Sequence, residues 1–311
     1  MVAVGVGLLV LPVAYAGLMV WLAQRNLTEP FWGPTPLSAG EGEASSGSAH
    51  KHNVLELETS LPSPQERGLG AVPGRSEMTP APHFSVLIAA RNEANTLPQL
   101  LRDLAAQTLP AARFEVLVAD DHSTDTTAAL VAAAAEETGF VLRLIALPET
   151  QTGKKAALQA ALHAARAPWL VCTDADCRLG PGWLAAYAAL ITQQPQANFI
   201  SGPVLLTGPN TLFANLMGLE FAGLVGVGAA CLARQQPTMC NGANLAYRRA
   251  AFEAVGGYAD NAHLASGDDE FLLHKIHAAF PGTAHFLADA AAIARTAAPP
   301  TLRALLRQRV R

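Results

Sequence analysis

Three apolar runs constrain this chain more than any other feature of its 311 residues. Phe84-Ser-Val-Leu-Ile-Ala-Ala90, Phe114-Glu-Val-Leu-Val-Ala119 and Trp169-Leu-Val-Cys-Thr173 are continuous rather than alternating. A strand with one face in water alternates apolar and polar residues, whereas a strand buried on both faces does not. Helical spacing follows the first run at Leu97, Leu100, Leu101 and Leu104, and an Ala-rich stretch that Ser123 or Thr124 would cap follows the second. Val141 to Leu147 then reads as a strand and Lys154 to Arg166 as a helix. This alternation predicts an α/β fold, a mostly parallel sheet with helices on both faces. Ligands of such sheets bind beyond the carboxyl ends of the strands. Arg91-Asn-Glu93, Asp120-Asp121 and Asp174-Ala-Asp176 all fall at such ends.

The last of these is the sharpest local signal. A turn beginning at Asp174 removes the alternation of side chains along a strand, so that Asp174 and Asp176 aim at one point. Two carboxylates about 4 Å apart repel by roughly 1 kcal/mol in water and about 4 kcal/mol at an effective dielectric of 20. A divalent cation between them offsets that repulsion, and hard oxygen ligands suit Mg²⁺ or Mn²⁺ together with a substrate's phosphates. Taken alone, the pair fits two solvated turn aspartates equally well.

Only 15% of the residues are charged and 50% are apolar, with a mean hydropathy of +0.22. The formal net charge of −4 carries no basic signature for nucleic acid. The four cysteines form no C-x-x-C pair, which points away from a zinc site or a disulfide framework. Val2 to Ala23 is 22 residues without a charge, followed by Arg25. That length spans a bilayer as a helix, and Trp21 and Arg25 place its end at the cytoplasmic interface. A signal peptide is the competing reading, through Ala14-Tyr-Ala16. The expected organisation is a membrane anchor over residues 1–25, a Gly-, Ser-, Pro- and Glu-rich linker over 26–83, and one domain over 84–311.

Thr211 to Ala233 is again apolar, but Glu220 and four glycines argue for a core or membrane-surface segment rather than a spanning helix. Asn241-Gly-Ala-Asn244 reads as a turn before a strand, and Ser266-Gly-Asp-Asp-Glu270 opens an apolar helix. Ser266 is the expected N-cap, and Asp268, Asp269 and Glu270 fit plain helix-start chemistry. His274 and His277, three apart, lack a third ligand and read as an exposed face. Thr301 to Arg311 is a basic amphipathic stretch with Arg303, Arg307, Arg309 and Arg311, suited to a surface, to anionic lipid or to a diphosphate.

In this order the motifs resemble the family 2 glycosyltransferases with the Rossmann-like GT-A fold, most closely their membrane-associated branch of cellulose, chitin and hyaluronan synthases. The resemblance runs from Phe84 to Arg311. It implies transfer of a sugar from a nucleotide-sugar, UDP-linked by resemblance, to a glycan or lipid-linked acceptor, with Mg²⁺ or Mn²⁺. It also implies an inner-membrane protein whose catalytic domain faces the cytoplasm. Ala90, Arg91 and Glu93 then belong to the loop closing on the nucleotide base, and Asp121 to the base contact. The family usually has Gly or Asn where His122 stands. Lys154 lies near the nucleotide, and Asp174 and Asp176 form the metal pair, with Asp174 also at the donor. Asn241 and Gly242 lie beside donor sugar and acceptor. Asp269 is the implied catalytic base, with Asp268 beside it. Gln308, Arg309 and Arg311 begin a Q-x-x-R-W motif whose Trp would be the next residue, so the domain is expected to be cut short at its C-terminal end.

Two readings compete. A haloacid-dehalogenase-type phosphatase also ends an apolar strand in D-x-D, but Arg178 stands where it needs Thr or Val, and Lys275 follows rather than precedes the acidic motif. A nucleotide-sugar-binding protein without catalysis is the other. Neither a G-x-G-x-x-G after the first strand nor a P-loop is present.

Overall fold

The computed structural model describes residues 83–259, 267–301 and 303–305. The expected anchor, nearly all of the expected linker, Ser266, and the Gln308, Arg309 and Arg311 expectations lie outside the described residues.

Among the described residues ten strands form two sheets. Strands β1 (Phe84–Ala90), β2 (Phe114–Asp120), β3 (Val141–Ala146) and β4 (Trp169–Cys172) correspond to the apolar runs. They are followed by β5 (Arg178–Leu179), β6 (Phe199–Ser201), β7 (Val204–Thr207), β8 (Leu245–Arg248), β9 (Ala284–Phe286) and β10 (Ala294–Ala297). The larger sheet has the order β3-β2-β1-β4-β8-β6-β9. Its first four strands are mutually parallel, β8 is antiparallel to both its neighbours, and β6 and β9 are parallel. The smaller sheet, β5-β10-β7, continues from the turn that follows β4.

Seven helices connect these strands among the described residues: α1 (Leu97–Ala105), α2 (Thr127–Glu137), α3 (Lys154–Ala164), α4 (Trp183–Gln193), α5 (Leu212–Ala233), α6 (Arg249–Ala254) and α7 (Asp268–Ala279). The central strands explain the continuous apolar runs. Val86 and Ile88 of β1 join one core cluster with Leu97, Leu100 and Leu104 of α1 and Trp183 and Tyr187 of α4. Leu87, between them, joins the opposite cluster with Leu158 and Leu162 of α3 and Leu272 and Ile276 of α7. Successive side chains point to opposite faces, and here both faces are covered.

Two polar residues interrupt these runs at the amino-terminal end of the sheet, and they satisfy each other. Ser85 and Glu115 are register partners on β1 and β2, and neither is exposed. Ser85 Oγ donates to Glu115 Oε1 at 2.7 Å. The Arg166 backbone N–H donates to the same oxygen at 2.6 Å, and Arg166 Nε donates to Oε2 at 3.0 Å. A buried carboxylate is tolerated only when paired and hydrogen-bonded in this way.

Two local expectations are corrected. Neither Ser123 nor Thr124 caps α2: the N-cap residue is Thr126, and it makes no side-chain cap bond. Asp125 Oδ1 instead accepts from the Thr127 backbone N–H at 2.9 Å. At α7 the N-cap is Gly267, with φ of 87°, a left-handed conformation that glycine adopts without steric penalty.

The segment expected as core or membrane-surface is one unbroken helix, α5, despite its glycines, with Thr211 Oγ1 accepting from the Ala214 N–H. Only Gly228, Ala229 and Leu232, near its C-terminal end, are buried, so it is not a core helix. Gly228 has a packing reason: a Cβ there would lie 3.2 Å from Met239.

Replacing Glu115 by Ala leaves the Ser85 hydroxyl and the Arg166 N–H without their acceptor. The expected loss is about 2–4 kcal/mol in urea unfolding, with Glu115→Gln losing less.

Candidate functional site

The order of the larger sheet reverses at β1: β2 and β3 extend to one side, and the chain then returns to place β4 on the other. Such a switch point leaves a crevice at the carboxyl ends of the two central strands, where ligands of open α/β sheets bind. Three groups of predicted site residues gather at this end.

The first lies after β1 and β2. Ala90 O accepts from the Asp121 N–H at 2.9 Å, extending the ladder into the loops. Asn92, with φ of 59°, binds the opposite loop through its N–H to Ser123 Oγ at 2.9 Å and its Oδ1 to the Thr124 N–H at 2.8 Å. The Glu93 N–H donates to Thr127 Oγ1 at 2.8 Å. Asp121 is buried and receives four donors. Thr152 Oγ1 at 3.0 Å and His122 Nδ1 at 3.1 Å meet Oδ1, while the Gly153 N–H at 2.9 Å and Arg91 Nη1 at 3.4 Å meet Oδ2. Burial works to raise its pKa. The bonds from His122, Gly153 and Thr152 and the Arg91 charge outweigh burial and hold it below the usual carboxylate value. Asp121 is therefore ionised at neutral pH with its acceptor positions taken.

The second group follows β4. The Cys177 N–H donates to Asp174 O at 3.1 Å, closing the expected turn. The two carboxylates engage different partners. Asp174 Oδ1 accepts from Lys154 Nζ, at the start of α3, at 2.5 Å, and Asp176 Oδ2 accepts from Thr296 Oγ1 of β10 at 3.2 Å. Burial would lower the Lys154 pKa, but the Asp174 carboxylate, with smaller contributions from Asp269 and Cys172, raises it above the ordinary lysine value. Among the described residues no three His, Cys, Asp or Glu side chains are grouped to hold a metal; His274 is exposed, but His277 is half-buried, which corrects the expectation of an exposed pair. A cation here would draw one or two carboxylates from the protein and its remaining oxygens from a substrate, the usual manner of Mg²⁺ beside phosphates.

The third group is the first turn of α7. Asp268 Oδ1 pairs with Lys155 Nζ at 2.7 Å. Asp269 packs against Gly242 so closely that a Cβ there would lie 2.1 Å from Asp269 Oδ2. This contact is the reason for glycine in that loop. Burial raises the Asp269 pKa to about 6; Lys154 opposes the rise, and Asp174, Asp268 and Glu270 add to it. The expectation of an ordinary carboxylate, with a pKa of about 3.9, is corrected by that burial and by its acidic neighbours.

Sequence reading missed several groups that shape the site. Asn244 is fully buried with every hydrogen-bonding position filled. Its Oδ1 accepts from Trp183 Nε1 and Tyr187 OH, both at 2.8 Å, and its Nδ2 donates to Pro203 O at 2.7 Å and Ala292 O at 2.8 Å. It thus ties the Asn241–Asn244 loop to α4, to the turn before β7 and to the short helix before β10. Asn241 itself closes the loop, its Oδ1 accepting from the Ala243 N–H at 2.9 Å. Asp103 of α1 holds Arg178 by two bonds, at 2.7 and 3.1 Å, and accepts from the Leu179 N–H at 3.0 Å, fixing the strand after the Asp174 turn. The available signal was an acidic residue on the apolar stripe of a helix, next to Leu104.

With this geometry in view, the comparisons assign the class. The family description "Glycosyl transferase family 2" matches residues 85–256, and the chain belongs to the family 2 glycosyltransferases. Among curated relatives it is 26% identical over 243 residues to the "Probable glycosyltransferase YdaM" of Bacillus subtilis, covering 76% of this chain and 56% of that one. It is 37% identical over 98 residues to the "Undecaprenyl-phosphate 4-deoxy-4-formamido-L-arabinose transferase" of Pseudomonas aeruginosa, covering 31% and 29%. The chain thus spans little more than half the length of the first relative and under a third of the second. Among solved structures, the mannosyltransferase PcManGT from Pyrobaculum calidifontis, in complex with GDP-Man and Mn²⁺, superposes with a TM-score of 0.58 at 24% identity, covering 74% of this chain and 61% of that one. That likeness carries the fold, a GT-A arrangement. The family assignment sets aside the phosphatase reading, in keeping with Arg178 being committed to Asp103.

Asn244→Ala would strand two donors and two carbonyls at once, and the expected loss is roughly 3–5 kcal/mol in chemical denaturation.

Proposed function

We propose that this chain transfers a sugar from a nucleotide-sugar donor to the hydroxyl of an acceptor, with inversion at the anomeric carbon and Asp269 as the base. One observation carries the reading: at the carboxyl ends of the central strands Lys154 of α3 pairs with Asp174 of the β4 turn at 2.5 Å, while Asp269 of α7 packs on the Gly242 loop. The domain over 84–311 would be held at the cytoplasmic face of a membrane by Val2 to Ala23.

In this reading the Arg91–Glu93 loop and the Asp121 pocket hold the nucleotide base, and the diphosphate lies towards Lys154 and the Asp174–Asp176 turn. The donor set fits a hard cation, because Asp174 and Asp176 offer carboxylate oxygens and Asp176 Oδ2 accepts from the neutral Thr296 hydroxyl. Mg²⁺ or Mn²⁺ held by these two would supply charge stabilisation to the departing diphosphate. The Lys154 ammonium, paired with Asp174, provides fixed positive charge beside the same group. Asp269 accepts the acceptor's proton as the hydroxyl oxygen bonds to the anomeric carbon and the bond to the diphosphate breaks. A pKa of about 6 makes it a stronger base than a solvated aspartate while leaving it mostly ionised at pH 7.5. Gly242 leaves room for that carboxylate, and Asn241 and Gly242 border the place where acceptor and donor sugar meet. UDP follows from the resemblance, whereas the structural relative was solved with GDP-Man.

The proton-accepting form is the carboxylate, so transfer is expected to fall as pH drops through about 6. Asp269→Asn should remove that limb and lower transfer by roughly 10²-fold or more, read by nucleotide release from a panel of labelled donors. Near-normal transfer by the variant rules Asp269 out as the base. The folded-state pKa lies above the unfolded value, so the native state binds more protons and stability declines as pH rises from about 4 through 6. Asp269→Asn should therefore also raise the melting temperature at pH 8. In calorimetry, Asp176→Ala is expected to abolish the gain in nucleotide affinity on adding Mg²⁺ or Mn²⁺; an unchanged gain removes Asp176 from the metal site.

A further inference from the structure

Helix α5 is in the wrong solvent. Of its 22 residues, Asn215 and Glu220 are the only ones that are neither apolar, glycine nor cysteine. Helices apolar all round are found inside large cores or membranes, yet α5 is buried only near its C-terminal end. Leu212, Leu216 and Leu219, spaced four and three apart and therefore on one face, are 77%, 52% and 73% exposed. Among the described residues only two other large apolar side chains are exposed, Val141 and Phe271. Phe271 stands two residues after Asp269 in the first turn of α7.

The buried end of α5 is joined to the site. Gly228 packs on Met239, and the chain runs from Met239 through Cys240 to Asn241 and Gly242, which touches Asp269.

We infer that α5 lies in the acyl region of a lipid bilayer and that the acceptor is a hydroxyl-bearing membrane lipid whose head group reaches Asp269 past Met239 and Gly242. This rests on the reading of Asp269 as the base. It chooses a hydroxyl because a base has a proton to take from one. The bilayer is the occupant the observations favour. The same chain carries Val2 to Ala23, uncharged and also 22 residues long, and an arginine-rich stretch, Arg303 to Arg311, suited to anionic head groups. A protein partner would cover one face and leave the others wet. Sugar transfer to the lipid forms one bond, from its oxygen to the anomeric carbon, breaks the bond to the diphosphate, and leaves the hydroxyl proton on Asp269.

The test uses the full chain in phosphatidylcholine–phosphatidylglycerol vesicles whose acyl chains are brominated. Leu216→Trp and Leu219→Trp should show added emission, relative to the parent, that the bromolipid quenches. Val141→Trp, on β3 at the opposite edge of the sheet, should not. Emission that is blue-shifted but unquenched means that a second copy or the chain's own Val2–Ala23 covers the helix, and it overturns the proposal, as does unquenched emission at the wavelength of exposed Trp. In vesicles of total bacterial lipid extract given a panel of radiolabelled UDP- and GDP-sugars, label should enter the organic phase; label found only in aqueous products overturns the lipid acceptor. Leu216→Glu with Leu219→Glu should lower organic-phase label roughly tenfold while leaving nucleotide affinity by calorimetry unchanged. If no donor is turned over at all, the transferase reading fails, and the quenching still decides where α5 lies.

Discussion

Strand β1 has neither a free edge nor a wet face. It pairs in parallel with β2 on one side and β4 on the other, and helices cover it above and below. A backbone so enclosed has its hydrogen bonds satisfied by neighbours, and its side chains must be apolar on both faces. Polar chemistry is then restricted to the two ends of the strands. At the amino-terminal end it becomes the Ser85–Glu115–Arg166 cluster, which is saturated and structural. At the carboxyl end, where the strand order reverses, it becomes the candidate site. Each piece of that site hangs from a strand or helix end whose position follows from how β1 is buried.

The site concentrates acidic groups in a small volume, and the fold treats each one differently. Asp121 is stabilised as an anion by four donors and serves as an anchor for the loops around it. Asp174 is offset by the ammonium of Lys154. Asp269 is the exception: burial and acidic neighbours make its charged form unfavourable. A carboxylate uncomfortable as an anion is one with a use for a proton. The contrast between Asp121 and Asp269, one held low and the other pushed up, is what separates a holding role from a chemical one in the proposed mechanism.

The supporting groups act through geometry rather than charge. Asn244 fixes a loop to three other elements through bonds that are all neutral and all buried, which makes the position of Gly242, and so of Asp269, a property of the core. Asp103 does the same for the strand after the Asp174 turn, through Arg178. Against this rigid frame α5 stands out as a long apolar element whose surroundings the described residues do not supply.

Much of this was legible in the amino-acid sequence. Continuous apolar runs determined the doubly covered sheet, because only strands buried on both faces tolerate them. The placement of Arg91, Asp121 and Asp174 at strand ends marked the candidate site, because polar residues cannot remain inside such strands. Tertiary structure decided the rest. Nothing local says that Asp121 would find Thr152 and Gly153, that Asp174 and Asp176 would turn to different partners, or that Asn244 would meet Trp183 and Tyr187 from a helix about sixty residues earlier. The abnormal acidity of Asp269 and the exposure of α5 belong to the same class. Periodicity reports how much of a residue is buried. Which groups surround it is set by where distant segments come to lie, and pKa and solvent exposure depend on those neighbours.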